Sequence, residues 1–167
     1  MKRSMRLILD ANEYIFGMDK FSGRTWSIML LEAIGNILRE EADFALLVPD
    51  IIRNEVQRNI DRRFLSDFYR FISSDPKIVY GSLFEVPVSL FKKYSQEIEL
   101  KDADAVIAAF AEWKAVDFVV SENRHIYEEL KVDEFITCNA EEFMKLLERG
   151  EIWQVIEELR AKGQRRL

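Results

Sequence analysis

This 167-residue sequence holds one cysteine, Cys138, and one histidine, His125, and each scarcity removes a class of chemistry. A single cysteine excludes an intramolecular disulfide and a cysteine-based zinc cluster, and it suits a reducing compartment. A Ser-His-Asp or Cys-His enzyme would have to run through His125, and Cys138 lies too far along the chain to be its local partner. Nucleophilic hydrolase chemistry is therefore set aside. Long apolar runs are missing too: Leu7-Ile8-Leu9 follows the basic Lys2, Arg3 and Arg6 but is stopped at once by Asp10. That pattern is neither a signal peptide nor a membrane span, and a soluble, cytoplasmic protein is expected. Three prolines and six glycines go with the lack of any linker, low-complexity stretch or internal repeat. Positive charge is in deficit, with 24 Lys and Arg against 30 Asp and Glu for a net charge of −6. Bulk attraction to nucleic acid is disfavoured unless metal occupies several carboxylates and the arginines are segregated.

What the chain does have is apolar residues, 49% of the total, enough for one domain with a proper core. Residues 1–150 form its body, and residues 151–167 add a C-terminal helix and a basic tail to the same unit. Met5 to Leu9, Phe44 to Val48, Ile78 to Val86, Phe118 to Val120 and Phe135 to Thr137 read as buried strands. Helical patterning covers Thr25 to Glu41, then one long helix from Asp50 to about Ile72 with Ile52, Val56, Ile60, Phe64 and Phe68 at four-residue steps. Further helices are predicted over Ser89 to Glu97, Asp102 to Trp113, Asn123 to Leu130 and Ile152 to Ala161. Another runs from Asn139, its cap, to Leu147, with Glu142 placed to complete a capping box and Gly150 to end it. Strands alternating with helices predict an α/β/α sandwich around a central, mostly parallel sheet of about five strands.

In such a sheet the carboxyl ends of the strands open into one crevice, and acidic or amide residues fall there repeatedly. Asp10 ends the first strand, where two readings fit: a cap for the next helix, or a ligand in the crevice with Asn12 taking over the cap. Glu55 lies three and four residues after Ile52 and Ile51, which tilts it toward the sheet, where it is either metal-bound or paired with Arg53 or Arg58. Of Asp102 and Asp104, Asp102 suits the helix cap and Asp104 the first turn, and either residue also serves the helix dipole. Ser121-Glu122-Asn123 after the fourth strand supplies a hydroxyl and an amide. Taken together, a crevice of oxygen ligands with almost no basic residues suits divalent cations, and with them a phosphate ester.

The ordered set of segments resembles the PIN-domain nucleases, over about residues 5 to 147. The likeness rests on Leu9-Asp10-Ala11-Asn12, a glutamate early in the helix after strand two, Asp104-Ala105-Val106-Ile107-Ala108-Ala109, and Ser121-Glu122-Asn123 after Asp117-Phe118-Val119-Val120. Phe135-Ile136-Thr137 and Glu141-Glu142-Phe143 are similar to the family's last strand and helix. The resemblance implies acidic positions at Asp10, Glu55 and Asp104, supporting polar positions at Asn12 and Ser121, and a fourth acidic position that falls on Asn123. Asparagine coordinates through its carbonyl without charge, so Asp102 and Glu122 stand as substitute ligands.

By that resemblance the chain is a Mg²⁺- or Mn²⁺-dependent endoribonuclease of single-stranded RNA that leaves a 5′-phosphate and a 3′-hydroxyl. The family also implies a possible toxin role in a toxin–antitoxin pair. One ion would activate a water for in-line attack and stabilise the leaving oxygen. Arg53, Arg58, Arg62 and Arg63, with Arg165 and Arg166 in the tail, are the candidate RNA contacts; a solvated helix face is the alternative for each. A catalytically weak RNA-binding or interaction module on the same fold is the rival, and Asn123 is its main support. The helices over 25–41 and 50–72 carry apolar surface beyond one sheet face, so a homodimer or an antitoxin partner is expected.

Overall fold

The apolar run after the basic start forms β1 (Met5–Leu9), buried except for Arg6, in a computed structural model that describes residues 4–164. In chain order there follow α1 (Ala11–Met18), α2 (Thr25–Glu40), β2 (Phe44–Pro49), α3 (Asp50–Asn59), α4 (Arg62–Ile72), β3 (Ile78–Gly81), α5 (Val88–Lys92) and α6 (Asp102–Trp113). The chain ends with β4 (Phe118–Val120), β5 (Ile136–Cys138), α7 (Ala140–Glu148) and α8 (Ile152–Gln164). The sheet has the order β3-β2-β1-β4-β5, and every pairing is parallel. Right-handed crossovers therefore put α1 to α4 on one face and α5 and α6 on the other.

This order matters for function. The chain moves outward from β1 through β2 to β3, then returns to place β4 against the free side of β1. Strand order reverses between β1 and β4, so the crevice of this sheet opens beyond Leu9 and Val120, which sit in register.

Three expected boundaries shift, each for a local reason. The long helix over 50–72 is two helices. Ile60 adopts an extended conformation, its N–H closing α3 on Val56, and the Asp61 side chain accepts the Arg63 N–H to cap α4. The four-residue apolar step continues through the break, which is why periodicity alone misses it. Re-aimed, α4 sets Phe68 and Phe71 edge-on to the buried Tyr14 of α1, with ring centroids 5.3 and 6.2 Å away. Strand β3 ends at Gly81 rather than Val86, because Ser82 caps a 3₁₀ turn over Leu83–Glu85. Only glycine fits at position 81: a Cβ there would lie 2.1 Å from the Phe110 ring. The last strand is shifted by one residue to Ile136–Cys138.

The capping box at Asn139 and Glu142 forms as the sequence indicates. Gly150, at φ +68°, ends α7 with the N–H of Glu151 on the Leu146 carbonyl and its own N–H on that of Leu147. Helix α8 shares the core through Ile152 and Ile156, and Arg160 donates to both carboxylate oxygens of the buried Asp117 at 3.1–3.3 Å. Asp117 also accepts the Arg6 N–H, so one carboxylate ties the C-terminal helix to the sheet. Among the described residues no helix is long and apolar enough to cross a membrane.

The apolar stripes of α2 and of α3–α4 are used largely inside the molecule: Leu30, Leu31, Ile34, Leu38, Ile52, Val56, Phe68 and Ile72 are all core residues. Of the large exposed side chains only Tyr69 among the described residues lies on these helices; the most exposed are Phe21, Phe84 and Val88.

Candidate functional site

Asp10 leaves β1 at the strand-order reversal and is 5% exposed. Its N–H continues the ladder to the Val120 carbonyl at 2.8 Å. Its Oδ1 accepts the Ala11 N–H at 2.8 Å, so Asp10 itself caps α1 and Asn12 sits one residue inside the helix. The alternative in which Asn12 is the cap does not hold. Capping leaves Asp10 available nonetheless, because a carboxylate has more lone pairs than one N–H occupies. Its Oδ2 accepts the Ser121 hydroxyl at 2.6 Å, across the seam between β1 and β4.

Ser121 is wholly buried and held by its own N–H on the Cys138 carbonyl at 3.0 Å. Its Oγ in turn accepts the Asn123 N–H at 3.0 Å. Asn123 closes the next turn with Oδ1 on the His125 N–H at 3.1 Å, and its Nδ2 donates to Asp104 Oδ2 at 3.3 Å. Asp104 therefore faces the loop after β4 from the first turn of α6. Asp102 is in that turn as well but is exposed, and Lys101 occupies the cap position expected for Asp102.

Glu55 comes in from the flank of α3. It is partly buried, and among the described residues neither it nor Asp10 nor Asp104 forms an ion pair. Arg53 pairs instead with Asp50 at 3.4 Å and lies over the Tyr80 ring. Burial lifts the carboxyls of Asp10, Glu55 and Asp104 above the ordinary carboxylate range. For Asp10 the Ser121 and Ala11 donors pull the other way and Asp104 adds to the rise. For Glu55 the charge of Asp10 adds to the rise, Arg58 opposes it, and Asp104 adds a little more. The three acids feel one another, as groups in a single crevice must.

The candidate substitute Glu122 has one oxygen engaged outside the crevice set. Its Oε1 accepts the Ala140 N–H at 3.0 Å at the start of α7. The arginines do not form one patch. Arg53 is held by Asp50, Arg63 by Asp61 at 2.8 Å, and Arg58 and Arg62 are exposed on either side of the break between α3 and α4. Arg165 and Arg166 lie outside the described residues. The single histidine is exposed, with Nδ1 bonded to Glu129 at 2.8 Å, and the single cysteine, Cys138, is buried.

One buried acid escaped the sequence reading. Glu13 is fully buried in α1, one turn beyond Asp10, with Oε2 accepting the Ser27 hydroxyl at 2.9 Å. An acid in the first turn of a helix ordinarily marks nothing more than a dipole complement, so its position carried no signal.

The donor set tests well against a hard divalent cation: oxygen atoms only, carboxylates that destabilise one another, and, among the described residues, no ion pair on any of them, the basic groups nearby (Arg58 for Glu55, His125 and Lys101 for Asp104) acting only at longer range. Among the described residues no three His, Cys, Asp or Glu side chains already encircle a common point. The acids line the crevice without closing on it.

Solved structures similar to this chain include two toxin–antitoxin complexes. The VapBC2 complex of Rickettsia felis bound to a DNA fragment from its promoter matches with a TM-score of 0.56 at 15% identity, over 81% of this chain and 98% of that one. A toxin–antitoxin complex from Klebsiella pneumoniae matches with a TM-score of 0.54 at 21% identity, over 78% and 96%. The chain has a PIN-like fold. The PIN-like order accounts for what the sequence segments have in common: each falls where a strand delivers its chain to the crevice. No protein-family profile and no curated protein matches the sequence.

Proposed function

We propose that this PIN-like protein is a metal-dependent ribonuclease acting on single-stranded RNA, with Asp10, Glu55 and Asp104 holding Mg²⁺ or Mn²⁺ and Asn123 contributing its carbonyl. The observation that carries the reading is the gathering of three carboxylates, none of them in an ion pair among the described residues, at the β1–β4 reversal. Burying such charges for packing alone is costly, and a cation is the partner that repays it. The bound ion would supply an activated water and charge neutralisation for phosphodiester hydrolysis. The chain's own residues do the rest. Ser121 fixes the direction of Asp10, Asn123 fixes Asp104, and Glu55, with the freest side chain of the three, adjusts to the ion. Arg58 and Arg62 are the arginines free to meet the RNA backbone.

The test is incubation of labelled single-stranded RNA with Mn²⁺, with Mg²⁺ and with EDTA. Cleavage in the first two alone supports the proposal; cleavage undiminished by EDTA overturns it. Asn123 favours a second reading, a module that retains RNA without cutting it, and filter binding without metal-dependent cleavage would select that one. Asn123→Asp tests the same point. Asp at 123 cannot donate to Asp104 and adds a negative charge, so the metal-free protein should lose about 1 kcal/mol of stability. Mn²⁺ binding by calorimetry should tighten.

We also propose a toxin role with an antitoxin partner, in line with the two similar complexes. A groove of about 950 Å³ between α2 and α4 suits a partner: Met18, Phe21, Ile28, Leu31, Phe64 and Phe71 supply its apolar surface, and Lys20, Glu32, Arg39 and Arg70 are among its charged residues. A homodimer is proposed at a different face, beside β3. Phe84 is wholly exposed there and, with Leu83, Val86, Val88, Phe91 and Val106, lines an apolar hollow of about 260 Å³, so the exposed ring and the hollow form one apolar surface that suits a two-fold contact. Light scattering should give the mass of two chains, falling to one for Phe84→Glu; a monomeric wild type overturns the dimer.

A further inference from the structure

The sheet register places one more pair of side chains beside the crevice. Ile8, Leu47 and Val79 lie in one row across β1, β2 and β3, so Tyr80 is one residue nearer the crevice than that row and Asp10 is two. With neighbouring strands about 4.8 Å apart, Tyr80 is roughly 10 Å across the sheet from the strand that delivers Asp10. The next residue, Gly81, faces Phe110 of α6. Alternation along the strand therefore turns Tyr80 to the opposite face, that of α3 and α4. Glu55 reaches the crevice from the same side. The Phe84 hollow, with Val106 and Ala109 of α6 in its wall, belongs to the other face.

The Tyr80 ring is held at both ends. Its backbone belongs to the β2–β3 ladder, and its hydroxyl donates to the Ile72 carbonyl at the end of α4 at 3.0 Å. Arg53, near the start of α3, sets its guanidinium over the ring, 5.6 Å from the centroid and within reach of a cation–π contact. Asp50 engages that guanidinium through one nitrogen at 3.4 Å, so the charge is spoken for while the plane is not. Both groups remain open: Tyr80 is 48% exposed and the Arg53 side chain 37%. Their polar edges are bonded and their flat faces meet solvent. Such surfaces are what an unpaired nucleobase stacks on, whatever its identity, because every base has a π-face.

We propose that Tyr80 and Arg53 form a stacking platform for one unpaired base of the RNA, beside the crevice of acids. The inference rests on the reading of single-stranded RNA as the ligand and adds where a base is held. Helix α3 joins the two places. Arg53 and Glu55 are two residues apart, so they leave nearly opposite sides of the helix, Arg53 toward β3 and Glu55 toward the crevice. A strand lying across the ends of β1, β2 and β3 meets the acids with a phosphate and the platform with a base. The platform favours unpaired RNA over a duplex, whose bases are already stacked on one another, and it reads no sequence. It also gives Arg53 a role that its pairing with Asp50 denies it as a phosphate contact.

The test is binding in EDTA, which needs no cleavage, of a labelled single-stranded oligoribonucleotide and of an oligomer of the same length that lacks bases. Fluorescence anisotropy should show that the wild type prefers the strand with bases. Tyr80→Leu should weaken binding to that strand roughly 5- to 100-fold and leave binding to the base-free strand unchanged. Arg53→Lys, which keeps the charge and loses the plane, should do the same. Tyr80→Phe loses the bond to Ile72 but keeps the ring, and should bind as the wild type does; this variant separates stacking from any part the hydroxyl plays in the fold. The slope of affinity against salt should be unaltered in Tyr80→Leu, because no phosphate contact is lost, and should flatten in Arg58→Ala. A wild type that binds the two strands equally overturns the platform. So does a Tyr80→Leu variant that binds as the wild type does, or one that loses as much on the base-free strand. The nuclease reading fails separately. Absence of metal-dependent cleavage beside a base-dependent loss in Tyr80→Leu counts against the nuclease alone, and metal-dependent cleavage beside unaltered binding in that variant counts against the platform alone.

Discussion

Asp10→Asn is expected to lower metal-dependent RNA cleavage by at least about 100-fold while raising the melting temperature of the metal-free protein. The loss follows from position: loss of a group that merely supports a ligand costs up to about 100-fold, so loss of a ligand at the β1–β4 reversal should cost no less. The gain follows from electrostatics. Burial pushes the Asp10 carboxyl above the ordinary range, and Asp104 adds to the push. A carboxyl raised in this way makes the folded state hold its proton more tightly than the unfolded one. Its favourable contribution is present at low pH and is lost as pH rises, and at neutral pH the buried charge works against folding. Asparagine removes the charge and keeps an oxygen for the Ala11 N–H. Calorimetry with EDTA and with Mn²⁺ reads both halves: the variant should melt higher than wild type without metal and gain little from Mn²⁺. A variant that melts lower in EDTA would make Asp10 a helix cap first and a ligand second. The same sign governs acid: Asp10, Glu55 and Asp104 all have raised carboxyls, so metal uptake should fail at a higher pH than about 4, where ordinary carboxylates protonate.

The fold was legible because the strands are short apolar runs ended by polar residues, and that pattern survives without knowledge of the tertiary structure. Leu7-Ile8-Leu9 before Asp10 and Phe118-Val119-Val120 before Ser121 each mark a buried strand and its exit into the crevice. The misreadings come from places where two local rules compete. At Ile60-Asp61 the apolar step favours one helix, while a capping aspartate favours two. The cap prevails because the new direction of α4 buries Phe68 against Tyr14.

The site was legible as a set of residues and not as a division of labour. Asp10 caps and faces Ser121 with its two different oxygens, which no spacing rule reveals. Asn123 reads as a lost acid in sequence. In three dimensions it is a bridge, bonded to Ser121, His125 and Asp104 at once, and aspartate could not make the donation to Asp104. Glu122 adjoins Asn123 in sequence, and its bond to the Ala140 N–H at the start of α7 is a contact that no spacing reveals. Glu13 was invisible because its burial against Ser27 of the next helix shows only in the fold.

The stability of the wild type and of Glu13→Gln should cross as pH rises. Unfolded, Glu13 ionises in the ordinary glutamate range near 4.5; folded, burial holds its proton to about 9. Through that window the unfolded state has fewer protons bound, so wild-type stability falls with pH by up to about 1.4 kcal/mol per unit and levels off above the folded value. Glutamine has no such slope. Near pH 5 the wild type should be the more stable by about 1 kcal/mol, since a glutamine amide buries two N–H donors where the neutral carboxyl buries one O–H. By pH 8 the order should be reversed by a few kcal/mol. Urea unfolding from pH 5 to 8.5 would display the crossing, and two parallel curves would mean that Glu13 is ionised throughout. A crossing has a further implication. If glutamine fills the same space at less cost under neutral conditions, packing alone does not account for an acid at position 13, and the ability to lose that proton becomes the property that distinguishes the natural residue.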